Sequence, residues 1–269
     1  MIAPPRNWID IHWPDIDEAA AARWIAVLPL AATEQHGPHL PLGTDVMIAE
    51  AYLARVRERL PAALPVTILP VQPVGISTEH VDYPGTLTLP TDVVLKSWMA
   101  LGQSVARAGV KKLVMVTSHG GNGAAMALVA QDLRASCGLL VVTTSWSRFG
   151  APNGLFPDEE IRHGIHGGAV ETSIMLARHG QHVRSGAIAD FRSTATTMDS
   201  QYRRLSAHRP APFAWQAQDL HASGAAGNAT LASADKGEQL IEHGARAFCE
   251  LLEDVDKFDV TALARGPAT

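Results

Sequence analysis

A carboxylate, an imidazole and a second carboxylate lie close together in one turn-rich segment near the start of the chain. Residues 33–45 read Thr-Glu-Gln-His-Gly-Pro-His-Leu-Pro-Leu-Gly-Thr-Asp and follow an apolar run. Because Glu34 and His36 are two residues apart, their side chains leave the same face if the strand predicted for residues 24–32 extends through them. Asp45 would then return by a loop. This set of side chains suggests a metal site.

Three later segments carry similar side chains. Glu79 and His80 follow a second predicted strand, and His119 precedes a pair of glycines after a third. His166 and Glu171 lie at the start of a predicted helix, where the helix dipole favours negative charge. Ligand sites in parallel sheets form beyond the carboxyl ends of the strands, so we expect these segments to converge on one rim.

Alternating strands and helices must position these groups. Apolar runs predict buried strands at 24–32, 66–72, 112–118 and 139–145, and helical periodicity covers 46–60, 91–108, 122–136, 169–178 and 236–254. This alternation predicts an α/β fold with a largely parallel central sheet. With no linker or internal repeat in the sequence, we expect a single domain over residues 1–269.

Composition limits the possible partners and compartment. The 269 residues are 46% hydrophobic and 18% charged, with a net charge of −5, which gives no basic surface for nucleic acid. We find neither a membrane span nor a secretory signal, so we expect a cytoplasmic protein without nucleic-acid or membrane partners. The two cysteines, Cys137 and Cys249, make neither a disulfide framework nor a metal knuckle, and any metal must use oxygen and nitrogen ligands.

Ligand chemistry predicts two divalent ions of the zinc or manganese type bridged by one carboxylate. Asp45 is the candidate bridge, although it or Thr44 could also cap the helix predicted from residue 46. Glu34 and His119 would complete the shell of one ion, and His36 and Glu171 that of the other. The three carboxylates would offset most of the four positive charges.

The four segments together resemble the creatininase (creatinine amidohydrolase) family. The similarity comprises residues 33–45, Glu79-His80 with Tyr-Pro-Gly-Thr at 83–86, His119-Gly-Gly-Asn, and residues 166–173. It implies a three-layer α/β/α sandwich and a binuclear zinc or manganese centre, with iron also possible. It further implies hydrolysis of a small cyclic amide such as creatinine, and commonly a homohexamer.

Carried over residue by residue, the resemblance makes Glu34, His36, Asp45 and His119 metal ligands, with Asp45 bridging. Creatininase has a glutamate two residues beyond the histidine that matches His119, whereas this chain has Gly121. We expect Glu171 to fill that vacancy, as a ligand or as a catalytic group.

The substrate pocket is predicted less directly. Creatininase closes a tryptophan-bearing loop over its substrate, and residues 157–162 contain no tryptophan. Trp146 is an alternative aromatic wall, with ordinary burial at a strand end as the competing interpretation. Glu79 and His80 are expected to bind substrate or to support the metal ligands.

The predicted chemistry is hydrolysis by a hydroxide that bridges the ions, because two divalent ions lower the pKa of a shared water toward neutrality. His166 is the candidate for proton transfer to the leaving nitrogen, with a supporting hydrogen bond as the alternative.

The sequence contains neither a P-loop nor a Gly-x-Ser-x-Gly elbow. A related amide, formamide or ring hydrolase, a peptide-processing enzyme, and a non-catalytic metal-binding assembly protein remain alternatives.

Overall fold

A central sheet of four parallel strands organises the chain. The structure, a computed structural model, describes residues 3–208 and 210–263. The strands are β1 (Ile25–Leu30), β2 (Val66–Ile68), β3 (Lys112–Thr117) and β4 (Leu140–Ser145), in the order β2-β1-β3-β4. Their registers bring Leu30, Thr117 and Ser145 to the same edge of the sheet. The predicted parallel sheet is therefore confirmed, with shorter strands than the apolar runs indicated.

Helices cover both faces of this sheet. Along the described residues they are α1 (Glu18–Ala21), α2 (Thr44–Arg59), α3 (Thr91–Arg107), α4 (Gly123–Cys137), α5 (Asp158–His163), α6 (Ala169–His179), α7 (Ala195–Gln201), α8 (Ala217–Leu220) and α9 (Ala234–Lys257). Among them, none is long and apolar enough to cross a membrane.

Side chains of β1 alternate between two apolar cores. Ile25 and Val27 pack with α2, α6 and α9, while Ala26 and Leu28 pack with α3 and α4 on the opposite face. Successive strand residues point to opposite faces, so a strand covered on both sides reads as a continuous apolar run. This arrangement is the predicted three-layer α/β/α sandwich.

The chain leaves β1 earlier than predicted. The strand ends at Leu30, so it does not extend through Glu34 and His36, and the condition for both side chains to leave one strand face is not met. Gly37 adopts a left-handed φ of 70°, and the chain folds back so that the Glu34 N–H donates to the Leu42 carbonyl at 2.9 Å. Glu34 and His36 therefore project from a tight loop.

Asp45 also differs from its predicted setting. It lies inside the first turn of α2, and Gly43 is the N-cap residue without a side-chain hydrogen bond. The capping role considered for Asp45 or Thr44 is therefore wrong. The hydroxyl of Thr44 donates instead to the carbonyl of Pro41 at 2.6 Å. The Asp45 carboxylate faces imidazole nitrogens of His36 and His119.

Two small pairs of strands follow the main sheet. They are β5 (Asp190–Phe191) antiparallel to β8 (Gly227–Asn228), and β6 (Leu205–Ser206) parallel to β7 (Ala211–Pro212). Next to β8, His166 and Ala226 exchange backbone hydrogen bonds of 3.2 and 2.7 Å. The segment before β8 thus holds the backbone of a predicted catalytic residue.

Helix α9 crosses α6 at very close range. A β-carbon added at Gly237 would overlap the carbonyl oxygen of Ser173 and lie 2.8 Å from the β-carbon of Ala177. The hydroxyl of Ser173 accepts from the N–H of Ser233, the N-cap residue of α9, at 3.2 Å. The position of α6, which carries Glu171, is therefore set by α9.

We predict that Gly237→Ala lowers the free energy of unfolding by about 1–3 kcal/mol, because the added methyl group overpacks this crossing. Gly186→Ala is the matched control, since an added β-carbon there meets nothing within 4 Å. Denaturant unfolding measures both variants. Alanine is normally more stabilising than glycine in a helix interior. A Gly237→Ala variant that is more stable than the wild-type chain would therefore contradict the close crossing.

Candidate metal centre

Five predicted ligands meet at the carboxyl edge of the sheet. Glu34 and His36 lie in the loop after β1, Asp45 in the first turn of α2, His119 after β3, and Glu171 in the first turn of α6. Glu34, His36 and Asp45 are at most 1% exposed. The side chain of Glu171 is 20% exposed and forms the open side of the cluster.

Asp45 lies between the two histidines. Its Oδ1 is 3.6 Å from Nε2 of His36, and its Oδ2 is 3.6 Å from Nδ1 of His119. On either side, Glu34 Oε1 lies 3.1 Å from His119 Nδ1, and Glu171 Oε2 lies 3.8 Å from His36 Nε2. Two groups result, Glu34–Asp45–His119 and His36–Asp45–Glu171, each with ligand atoms within 4.8 Å of one another. The two groups share Asp45.

Backbone carbonyls orient both imidazoles. Nδ1 of His36 hydrogen-bonds to the carbonyl of Glu34 at 3.1 Å, and Nε2 of His119 donates to the carbonyl of Ile76 at 2.7 Å. When one ring nitrogen donates to a backbone carbonyl, the other is left as the ligand atom. The nitrogens that face the carboxylates are Nε2 of His36 and Nδ1 of His119.

Several polar atoms of the cluster are buried without a hydrogen bond among the described residues. They include both carboxylate oxygens of Glu34, Oδ2 of Asp45 and Nε2 of His36. Burying such atoms unpaired is unfavourable, so native structures rarely leave them without a partner. Converging oxygen and nitrogen atoms of this kind suit a divalent cation, and the donor set fits zinc or manganese.

The ionisable groups of the cluster shift one another's pKa values. Burial disfavours the imidazolium form, but the surrounding carboxylates outweigh it and raise the pKa of His36 to about 9 and that of His119 to about 10. Burial likewise opposes ionisation of Glu34, yet the histidines, His119 foremost, hold its pKa below the usual range. Burial raises the pKa of Glu171 to about 7. Without metal, protons on the two histidines therefore balance the carboxylates.

His166 lies against this cluster as a neutral imidazole. Its Nε2 donates to the Gln35 carbonyl at 2.6 Å, and its Nδ1 is 3.7 Å from Oε1 of Glu34. Burial, with the nearby His36 and His80, holds its pKa well below the ordinary value. Its ring also shares a candidate ligand group with Glu34 and His36, which gives it two possible roles, proton transfer and ligation.

Gln35 has a positioning role that sequence reasoning missed. Its Oε1 accepts from the Gly37 N–H at 2.9 Å, which leaves Nε2 to donate to Nδ1 of His80 at 2.7 Å. His80 must then carry its proton on Nε2, which lies 3.4 Å from Glu34 Oε1. The only signal in the sequence is the position of Gln35 between two candidate ligands, Glu34 and His36.

Asn122 is a second residue without a predicted role. Its Nδ2 donates to the Ala31 carbonyl at 3.1 Å and to the Thr117 hydroxyl at 3.2 Å, and its Oδ1 accepts from the Ile76 N–H at 3.1 Å. A β-carbon at Gly75 would overlap that Oδ1. Asn122 thus joins three rim segments, and the sequence signal was its place in His-Gly-Gly-Asn.

The predicted substrate residues fall in two places. Trp146 lines a cavity of about 340 Å³ that also includes Glu171 in its wall, and it stacks on Tyr52 with ring centroids 4.4 Å apart. Glu79 and His80 lie instead on the far side of the cluster, where Glu79 Oε1 is 3.6 Å from Nε2 of His119. Neither contributes to the wall of this cavity, and their binding role stays a prediction.

Position 121 has no space for a side chain. A β-carbon on Gly121 would overlap Nε2 of His119 and lie 2.6 Å from both Glu79 Oε1 and the Ile76 carbonyl oxygen. The ring of His119 takes its orientation from that carbonyl. A glutamate at this position, as in creatininase, therefore does not fit the local backbone of this chain.

We predict that Gly121→Ala weakens metal binding by about 10- to 100-fold, because the methyl group must displace His119 or the carbonyl that orients it. Gly123→Ala is the control, since its β-carbon meets nothing within 4 Å. Competition with a coloured chelator measures both affinities. Equal affinities for the two variants would contradict this role of position 121.

We predict that the metal-free protein loses stability as the pH rises from 7 to 9. Both histidines have an ordinary pKa of 6.5, so in this window the folded chain retains protons on His36 and His119 that the unfolded chain has lost. The slope should reach at most about 1.4 kcal/mol per pH unit for each retained proton. Urea unfolding at several pH values measures it.

Bound divalent ions displace these protons, so zinc or manganese should remove the slope and bind more tightly as the pH rises. A double variant, His36→Gln with His119→Gln, lacks both protonation sites and should also lose the slope. Rising stability of the metal-free wild-type chain over this window would refute the charge arrangement.

Comparisons with known proteins place the chain in a family. The creatininase family profile, described as creatinine amidohydrolase, matches residues 10–252. A mycofactocin precursor peptide peptidase of Mycobacterium ulcerans (strain Agy99) is 30% identical over 238 residues, or 86% of this chain and 83% of that protein. A creatinine amidohydrolase of Pseudomonas putida is 26% identical over 251 residues, or 87% and 90% of the two chains.

Solved structures show the same fold. A crystal structure of creatinine amidohydrolase superposes with a TM-score of 0.75 at 25% identity, covering 94% of this chain and 99% of the other. A creatininase variant described as Zn-Zn type and a creatininase described as Mn superpose with TM-scores of 0.75 and 0.72 at 23% identity, covering 95% and 94% of this chain and 100% and 99% of theirs. With a family profile that matches residues 10–252 and the same fold, the chain belongs to the creatininase family.

Proposed function

We propose that this chain is a binuclear metal-dependent amidohydrolase that cleaves a carbon–nitrogen bond of a small amide. The observation that carries the proposal is the pair of candidate ligand groups that share Asp45, together with their buried oxygens that lack hydrogen bonds to the described residues. Glu34 and His119 would hold one divalent ion with Asp45, and His36 and Glu171 the other. Zinc and manganese fit these donors, and iron is a further possibility.

Two divalent ions at these groups would supply Lewis acidity toward an amide carbonyl and toward water. Three carboxylates, those of Glu34, Asp45 and Glu171, lie around two oriented imidazoles and would bind these ions. Glu171 is kept in place by the Gly167 N–H, which donates to its Oε2 at 2.6 Å. Because that side chain is the partly exposed one, it can also contact substrate, which is the catalytic alternative for Glu171.

We assign proton transfer to Nδ1 of His166. Its Nε2 hydrogen is committed to the Gln35 carbonyl, so Nδ1 carries the free lone pair and faces the ligand cluster. Because the pKa of this imidazole is held well below its ordinary value, the ring is a weak base, and once protonated it donates readily to the leaving nitrogen.

For the substrate we propose a small amide, and the two candidates are a small cyclic amide such as creatinine and a peptide-type amide. The second candidate is supported by the name of the Mycobacterium ulcerans relative and by the apolar cavity beside Glu171. From the lack of a linker in the sequence and from its composition we further propose a single catalytic domain over residues 1–269, a cytoplasmic location, and no nucleic-acid or membrane partner. From the family we propose a homo-oligomer such as a hexamer.

We predict that removing the metal with a chelator lowers amide hydrolysis at least about 100-fold and leaves the fold intact, and that zinc or manganese restores activity. The assay panel should contain creatinine, other cyclic amides, formamides, lactones and short peptides. Metal analysis and circular dichroism of each sample complete the measurement. Undiminished turnover by fully metal-free protein would refute the proposal.

Variants separate ligation from proton transfer within the same assay. Asp45→Asn should lose metal and activity together, whereas Asp132→Asn, on the exposed face of α4, should keep both. His166→Asn should keep the metal content and lose turnover. Loss of an ion from His166→Asn would instead make His166 a ligand.

A further inference from the structure

We infer that the cavity beside Glu171 is a subsite for a bulky apolar group of the substrate, next to the amide that is cleaved. The ligand class is an uncharged peptide-type amide with a branched aliphatic or aromatic side chain. This inference rests on the proposed hydrolase function and selects between its two substrate candidates.

The cavity shares its walls with the ligand cluster. Its lining includes Ser118 and Gly120, which flank His119, and it includes Glu171 itself. Helix α2 contributes Ile48 one turn after Asp45, and α6 contributes Val170 and Ile174 around Glu171. Since the same helices carry the ligands and the cavity wall, a group held in the cavity has a defined position relative to the cluster.

The lining chemistry is that of an apolar pocket. Among the described residues that line it, Glu171 is the one charged side chain. The apolar and aromatic lining residues are Ile48, Tyr52, Trp146, Ala151, Ile161, Ile165, Val170, Ile174 and Leu240. Pockets of this size and lining bind ligands mainly through buried apolar surface. Creatinine, a small polar ring, leaves most of these walls without contact.

Trp146 gives this pocket a fixed aromatic wall. The residue is 3% exposed, and its Nε1 has no hydrogen-bond acceptor among the described residues. Its ring is fixed between Tyr52, stacked at 4.4 Å, and Phe248, edge-on at 4.9 Å. A ring held in this way presents a rigid aromatic surface to the cavity, against which an apolar or aromatic group of a ligand can pack.

The cavity reaches solvent beside α5. Ile161, a lining residue on that helix, is 52% exposed, although large apolar side chains are normally buried. An apolar side chain at the entrance contacts the apolar part of an entering ligand. It also provides a position that can be changed without disturbing the core.

The test uses metal-loaded protein and a series of N-formyl amino acid amides with Gly, Ala, Val, Leu and Phe side chains, with creatinine as the reference. We expect kcat/KM to rise at least about tenfold from Gly to Leu or Phe, because each buried methylene adds binding energy. A flat series, or creatinine as the fastest substrate, would overturn the subsite.

A charge at the entrance provides the matched variant. Ile161→Glu should lower the Leu-to-Gly ratio of kcat/KM at least about fivefold, since a carboxylate opposes entry of an apolar group. Leu128→Glu, on exposed α4 and 57% exposed, should leave the ratio unchanged. An unchanged ratio in Ile161→Glu would count against the subsite.

Direct binding distinguishes failure of the subsite from failure of the hydrolase proposal. Calorimetry with 4-methylphenol should show binding to the wild-type protein with or without metal, and weaker binding to Ile161→Glu. Binding of this probe without hydrolysis of any amide would retain the subsite and refute the hydrolase. Hydrolysis without side-chain preference, together with no binding of the probe, would refute the subsite and retain the hydrolase.

Discussion

This structure depends on the burial of Glu34 and Asp45, three of whose carboxylate oxygens have no hydrogen bond among the described residues. Glu34 and Asp45 are almost fully buried, and their oxygens face imidazole nitrogens and one another. Such a cluster is unfavourable unless positive charge balances it, and protons on His36 and His119 provide that charge when metal is absent. Divalent ions would replace those protons and satisfy the oxygens together.

The remainder of the rim holds this unfavourable cluster together. Asn122 joins three segments that are distant in the sequence, and Gln35 determines which nitrogen of His80 carries the proton. Close helix packing also sets the position of Glu171, because α9 packs against α6 at Gly237 and α6 carries Glu171. Core packing and ligand geometry are therefore coupled, as the precise placement of metal ligands requires.

Membership of the creatininase family defines the fold but leaves the substrate to the local site. Gly121 has no room for the glutamate found in creatininase, and a carboxylate from α6, that of Glu171, lies 3.8 Å from Nε2 of His36. The same helix then contributes Val170 and Ile174 to an apolar cavity. A metal ligand supplied by α6 would therefore share its helix with part of the wall of this cavity.

The sequence alone determined the layers of the fold, because apolar periodicity reflects burial on both faces of a sheet. It also predicted which side chains would cluster as candidate metal ligands, because metal sites require particular donor atoms. It did not reveal where β1 ends or how Asp45 is presented, since those depend on turns that fold the chain back through long-range hydrogen bonds. The roles of Gln35 and Asn122, and the cavity beside Glu171, also required the tertiary structure. Hydrogen-bond partners and cavity walls come from segments that lie far apart in the sequence. The number of residues between two such segments does not tell how close they are in the folded chain.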